Sequence, residues 1–386
     1  MIPDELRHPR QAVGRAVRSA EAARIVSDLD RRLSHYRRER KFGAGTFRGL
    51  TVVVHRGYVV GDEVRVHLRV MEEPLMPEVG QDLPVLDSAR QNLRRFFALG
   101  MPQVRVVVKV GDVVTETVTG RRGYASVTLS VPGLEPGWHR VHATVPPGSG
   151  GQDEAVGRGR VVVPSKAARV AVISDIDDTV LRTGLTEGMS ALLTSMVGDA
   201  NSRSAIPGMA SLYRGLARTG GDGTAEATYF YVSTGSWAMY PVLTSFLQGR
   251  GFPRGPLFLT DWGPTDRYIV RSGSEHKRKA IARLLDAYPD TSFVLIGDSG
   301  QADADVYLEF AATHRSQVAA IVILDVGEHL AERADELTAR ALEAQSNGLE
   351  FHFVQDALGA ARVLVDLGLC DGTTLEAVET ELVAFG

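Results

Sequence analysis

The sequence predicts an α/β domain built on a parallel sheet, preceded by an all-β sandwich and an N-terminal helix. Two observations carry this. Val170–Ile173, Thr228–Val232 and Phe293–Ile296 are short unbroken apolar runs, the pattern of parallel strands buried on both faces. Earlier in the chain the pattern changes to strict alternation. Val64, Val66, Leu68 and Val70 alternate with Arg65, His67 and Arg69, as in half-buried antiparallel strands.

The domains follow in order. Residues 1–45 form the helical segment, with Val13, Val17, Ile25, Val26, Leu29, Leu33 and Tyr36 along one irregular stripe and a basic end at Arg37–Lys41. A helix docked on its own domain and an amphipathic helix drawn to anionic membrane both give this pattern. Residues 46–166 form the β-sandwich. Alternating runs recur at 50–54, 104–110, 113–119, 124–129, 139–145 and 158–163, separated by turn signals such as Gly111-Asp112 and Pro132-Gly133, with one helix near 88–97. Residues 167–386 form the α/β domain. Its helix at 209–218 follows Ile206-Pro207-Gly208.

Length and composition agree with two cores. The 386 residues are 44% apolar, and no apolar run is long enough to span a bilayer. The N-terminus has no apolar signal segment, and the single Cys370 fits a reducing compartment, so the expected location is cytoplasmic or peripheral to a membrane. A net charge of −4 and the absence of a basic-aromatic stripe argue against nucleic acid as a partner.

The most informative stretch is Ser174-Asp175-Ile176-Asp177-Asp178-Thr179, which closes the first parallel strand with three acids. Ligands of open α/β sheets gather at such C-terminal strand ends. Crowded carboxylates repel one another unless a cation sits among them, and an all-oxygen set points to Mg²⁺. Asp and Thr after a strand also serve as helix N-caps, which is the plainer alternative. Lys277 is discordant in a different way. It lies near the start of a helix, facing the positive end of the dipole. The chain has only five lysines among its 43 basic residues, so Lys277 and Lys279 mark places where an ammonium is wanted or, more plainly, a solvated helix face.

The spacing Asp175-x-Asp177-x-Thr179 resembles the first motif of the haloacid dehalogenase superfamily of phosphotransferases. Three further motifs then match in order: Ser233 after the second strand, Lys277 in the later helix, and Gly297-Asp298 with Asp303 after the third. More narrowly, the strings 175–180, Phe230-Tyr-Val-Ser233, Trp237-x-x-Tyr240, Gly251-Phe-Pro253, Leu259-Thr-Asp-Trp-Gly263, Gly273-Ser-Glu-His-Lys277 and Gly297-Asp-Ser-Gly-Gln301-x-Asp303-x-x-x-Tyr307 are similar to the actin-patch phosphatidate phosphatase family, over about residues 168–370. One stretch departs: Gly235-Ser236-Trp237-Ala238-Met239-Tyr240 stands where that family has Ser-Pro-Trp-Asn-Leu-Tyr.

The resemblance implies a Rossmann-like haloacid dehalogenase fold with a small cap between residues 182 and 205, and a Mg²⁺-dependent phosphatase. Asp175 would be the nucleophile, giving an aspartyl-phosphate intermediate, and Asp177 the general acid and base. Ser233 and Lys277 would hold the phosphate oxygens. Asp175, the Asp177 carbonyl and Asp298 would bind the metal, with Asp303 binding it directly or through water. The substrate expected is a phosphomonoester, phosphatidate or a related lipid phosphate at a membrane surface. A soluble or protein phosphate, and a weakly active scaffold binding membrane or partners, stay open beside it. Trp237, Tyr240 and Trp262 are candidates for an apolar lip or for ordinary packing.

Overall fold

The computed structural model describes residues 40, 44, 47, 49–73, 98–120, 122–148, 153–182, 205–218, 226–260, 273–327 and 331–385. The expected helix at 88–97, all of that at 10–41 but residue 40, nearly all of the expected cap, and Trp262 lie outside the described residues.

The N-terminal part is all β. Strands β1 (Leu50–Val54), β2 (Gly57–Val60), β3 (Glu63–Glu72), β4 (Arg105–Val110), β5 (Val113–Val118), β6 (Tyr124–Ser130), β7 (Gly137–Val145) and β8 (Ala155–Val163) form one hydrogen-bonded sheet. The order is β1-β3-β2-β8-β7-β4-β5, with β6 on the other edge of β3. All pairs are antiparallel except β2 with β8. Alternate residues point to a single core that joins Val66 and Leu68 with Val106, Val108, Val127, Val141 and Val161. Strands from both ends of the sheet share that core, so the sheet curls over it. The alternating runs of the sequence correspond to seven of these strands. Strand β2 was not foreseen: it is four residues long and begins at Gly57, where a Cβ would lie 2.2 Å from the Arg65 carbonyl oxygen. Only glycine lets β2 sit so close to β3.

The chain passes from this sheet to the next between Val163 and Ala171. The second sheet contains β9 (Ala171–Asp175), β10 (Tyr229–Ser236), β11 (Leu257–Thr260), β12 (Phe293–Asp298), β13 (Val318–Leu324) and β14 (Phe351–Val354). All are parallel, in the order β11-β10-β9-β12-β13-β14. Helices α1 (Met209–Arg218), α2 (Tyr240–Gly249), α6 (Ala357–Asp366) and α7 (Gly372–Phe385) cover one face. Helices α3 (Gly273–Ala287), α4 (Asp303–Thr313) and α5 (Ala331–Ser346) cover the other. Strands covered on both faces must be apolar throughout, which is why β9, β12 and β13 read as continuous runs. Glu381 of α7 accepts hydrogen bonds from the Gly208 and Ser211 amides, placing negative charge at the start of α1.

The chain runs outward from β9 on one side to β10 and β11, and on the other to β12, β13 and β14. The strand order therefore reverses between β9 and β12, and their carboxyl ends flank the crevice where doubly wound sheets bind ligands. The β domain packs on this one. Tyr58 and Val162 join the core beneath α3 and α4, the Tyr288 hydroxyl donates to the Val59 carbonyl (2.7 Å), and the Arg56 amide donates to the Tyr240 hydroxyl (2.6 Å).

Candidate active site

Strand β9 delivers Asp175 to the crevice with no exposed surface, and β12 delivers Asp298 beside it, equally buried. Asp303 enters from the first turn of α4, two positions after Gln301. One carboxylate oxygen from each of Asp175, Asp298 and Asp303 lies within 4.8 Å of the others. Three carboxylates so close and so dry would be prohibitive without positive charge.

Part of that charge is Lys277 of α3. Its side chain is 3% exposed, and its ammonium stands 2.7 Å from Asp175 Oδ1, 2.5 Å from Asp303 Oδ1 and 3.1 Å from Gln301 Oε1. Burial alone would lower this ammonium, but Asp175 and Asp303 override it and push it up, so Lys277 stays charged. The residue that was discordant in the sequence is thus satisfied by acids, not by its own helix. Lys279 pairs with Glu275 on an exposed face (2.6 Å) and plays no part here, which is the plainer of its two readings.

The carboxylates are held unequally. Asp298 Oδ1 accepts the amides of Gly300 (2.7 Å) and Gln301 (2.9 Å), which fixes the group by one oxygen and leaves buried Oδ2 with no hydrogen-bond partner. Asp175 Oδ1 meets the Lys277 ammonium, and its buried Oδ2 has no hydrogen-bond partner. Burial, then the Asp303 carboxylate, raise Asp298 to about 8. Burial likewise raises Asp175 well above the carboxylate range, Lys277 pulling against it and the neighbouring acids adding to it. Buried carboxylates gathered this closely, with oxygens left unpartnered, are what a divalent cation requires, and the all-oxygen donor set suits a hard one. Asp175, Asp298 and Asp303 are therefore the residues able to hold a metal.

Asp177 stands apart from these three. Past β9 the chain turns sharply at Asp178, whose backbone is left-handed (φ 57°). The Asp177 side chain meets β10 instead: Ser233 Oγ donates to its Oδ2 (2.7 Å) while accepting the Gly235 amide (2.9 Å). Burial raises Asp177, with Ser233 and Lys277 opposing. All six expected residues thus collect at the carboxyl ends of β9, β10 and β12, as an acid–lysine cluster and an adjoining Asp177–Ser233 pair. Gln301 belongs to the string 297–307 that carries the resemblance, but the sequence assigned it no role; its contact with Lys277 appears only in the structure.

Of the expected lip residues, Trp237 and Tyr240 are packing groups. Trp237 stacks on His55 (centroids 4.8 Å, planes 2° apart) and on His67 (4.2 Å), and Tyr240 is buried. They tie the strand that carries Ser233 to the β domain.

Comparison with known proteins finds similarity over the part of the chain that holds this site. Residues 170–325 match the catalytic domain of phosphatidate phosphatase APP1. Phosphatidate phosphatase APP1 of Saccharomyces cerevisiae is 31% identical over 156 residues, 40% of this chain and 25% of the yeast protein. An uncharacterized protein of Schizosaccharomyces pombe is 28% identical over 159 residues, 41% of this chain and 25% of that protein. The matched region is thus about a quarter of the length of these relatives. Among solved structures, the CARDB domain of a Pyrococcus furiosus protein is 18% identical over 30% of this chain and 94% of its own, with a TM-score of 0.18, too low to bear on the fold. Over residues 170–325 the chain is thus similar to the catalytic domain of phosphatidate phosphatase APP1.

Proposed function

We propose that the chain is a Mg²⁺-dependent phosphatase of the haloacid dehalogenase type, which hydrolyses a phosphomonoester through an aspartyl-phosphate on Asp175, with phosphatidate or a related lipid phosphate as substrate. The observation that carries this is the convergence of unpartnered oxygens of Asp175 and Asp298 beside Asp303 and the Lys277 ammonium. Asp175, Asp298, Asp303 and the Asp177 carbonyl would hold the ion, which when bound neutralises phosphate charge as an anionic nucleophile approaches.

The chain's own groups supply the rest. Lys277 holds the Asp175 carboxylate in place and, with Ser233, offers donors to the non-bridging phosphate oxygens. Asp175 attacks phosphorus; an oxygen–phosphorus bond forms as the bond to the leaving oxygen breaks. Asp177, whose burial favours its protonated form, gives its proton to that oxygen. In the second half Asp177 takes a proton from water as the water attacks phosphorus. The Asp175–phosphorus bond breaks, releasing inorganic phosphate. The lipid assignment rests on the family match over residues 170–325. Among the described residues no helix is long and apolar enough to cross a membrane, so the substrate would be met at a surface.

The test is phosphate release from phosphatidate vesicles and from a panel of soluble phosphoesters and phosphopeptides, with Mg²⁺ and with EDTA. Release from the vesicles that requires Mg²⁺ is expected. Preference for a soluble ester or a phosphopeptide would reassign the substrate, and no release from any would leave a binding scaffold.

A further inference from the structure

The junction between the two domains holds a second concentration of charge, opposite in sign to the first. Arg56 leads into β2, Arg140 lies on β7, Arg158 and Arg160 on β8, and Arg254 precedes β11; all five line one cleft of about 700 Å³. No carboxylate lines it, and none of the five guanidinium groups has an ion-pair partner among the described residues. The chain as a whole carries a net charge of −4, so this is a local departure and not the expression of a basic protein.

The arrangement works against its own stability. Arg140 stands directly opposite Arg160 in the β7–β8 ladder, a like-charge cross-strand pair. Arg158, two residues from Arg160, shares the same face. Burial and then the nearby Arg254 and Arg160 lower the Arg56 guanidinium, with Tyr240 opposing. Strand pairing within the β sheet brings Arg56, Arg140, Arg158 and Arg160 together, packing against the second sheet adds Arg254, and each is an arginine where a neutral residue would relieve the repulsion. Guanidinium is also the cation whose planar fork fits phosphate oxygens two at a time.

We propose that this cleft binds an anion bearing two or more phosphate groups, at a site separate from the acidic centre. Its volume exceeds what one phosphate needs, and its charge exceeds what one phosphate neutralises. A free oligophosphate and a multiply phosphorylated lipid headgroup present the same chemistry, and two probes separate them. Calorimetric titration of the full chain with tripolyphosphate in EDTA reads the free anion. Co-sedimentation with phosphatidylcholine vesicles, plain or doped with phosphatidylinositol bisphosphate, reads the headgroup.

Wild-type protein is expected to bind at least one probe, more weakly as salt rises. Arg140→Gln with Arg160→Gln should weaken that binding about tenfold or more, while thermal stability without ligand stays level or rises. Arg254→Gln, exposed and outside the β ladder, should weaken it in the same direction, and it covers the case in which the double variant does not fold. Binding of tripolyphosphate alone assigns a free anion, and binding of doped vesicles alone assigns a headgroup. No binding of either probe, or binding that these substitutions leave unchanged, overturns the proposal.

Discussion

Lys277 and Asp175 face each other across 2.7 Å with almost no solvent, and the same ammonium reaches Asp303. One cation therefore holds two acids of the centre in register, and the third, Asp298, is held by backbone amides. This division of labour makes the contributions separable by mutation.

Lys277→Met removes the only positive charge within the cluster among the described residues. Breaking a buried pair by deleting one partner costs about 3 kcal/mol or more. The denaturation midpoint in EDTA should fall accordingly, and kcat by about a hundredfold or more. Arg at this position should not restore activity, because its fork cannot reproduce three contacts around one nitrogen.

Divalent cation should stabilise the protein, and more so at high pH. A carboxylate whose folded pKa is raised, as Asp298 is to about 8, binds its proton more tightly folded than unfolded. Its stability contribution is complete below about 4 and lost as pH rises toward 8. A cation must displace that proton, so its benefit grows over the same window. At ~100 times its dissociation constant Mg²⁺ should raise Tm by about 3 °C at pH 8.5, and by less at pH 6.5. Asp298→Asn should remove the difference between Mg²⁺ and EDTA. A shift independent of pH would contradict the assignment of Asp298.

Gly297 precedes Asp298, and a Cβ there would lie 2.6 Å from Asp303 Oδ2 and 2.7 Å from its Cβ. Gly297→Ala should displace the Asp303 carboxylate from Lys277 and lower kcat by about a hundredfold. A variant with wild-type kcat would show that Asp303 need not sit where it does.

The two histidines at the domain junction give a pH dependence of the other sign. His55 and His67 meet through their Nδ1 atoms at 2.9 Å, stacked against Trp237. Burial lowers His67 to about 4, and lowers His55 still more clearly, with His67 and Arg69 adding to it. A histidine with a depressed folded pKa contributes stability above about 6.5 that is lost as pH falls toward 4. From pH 7 to pH 5, His67 should cost the wild type about 2 kcal/mol. His67→Gln should shrink the difference in unfolding free energy between those two pH values by that amount. An undiminished difference would mean that His67 is not held neutral.

The parallel strands and the acids that end them were legible because burial on both faces forces unbroken apolar runs, and a carboxylate closing such a run has few structural excuses. Lys277 was legible because it opposed its own helix dipole. What the sequence did not disclose depends on contacts between distant segments. Strand β2 is too short for periodicity to register, and Gln301 gains its role only once α3 lies over α4. Trp237 reads more readily as a packing residue than as a lip, but what it packs on appears only when His55 and His67, far upstream, are brought against it. The arginine cleft was invisible for the same reason, its residues lying on separate strands and loops.

The nucleophile is tested most directly by replacing it. Asp175→Asn keeps the size of the side chain and leaves a polar group beside Lys277, so the variant should fold. With phosphatidate vesicles and Mg²⁺, wild-type protein should release inorganic phosphate, and Asp175→Asn should slow that release by at least about a thousandfold. Release at an undiminished rate by the variant would contradict an attack from Asp175.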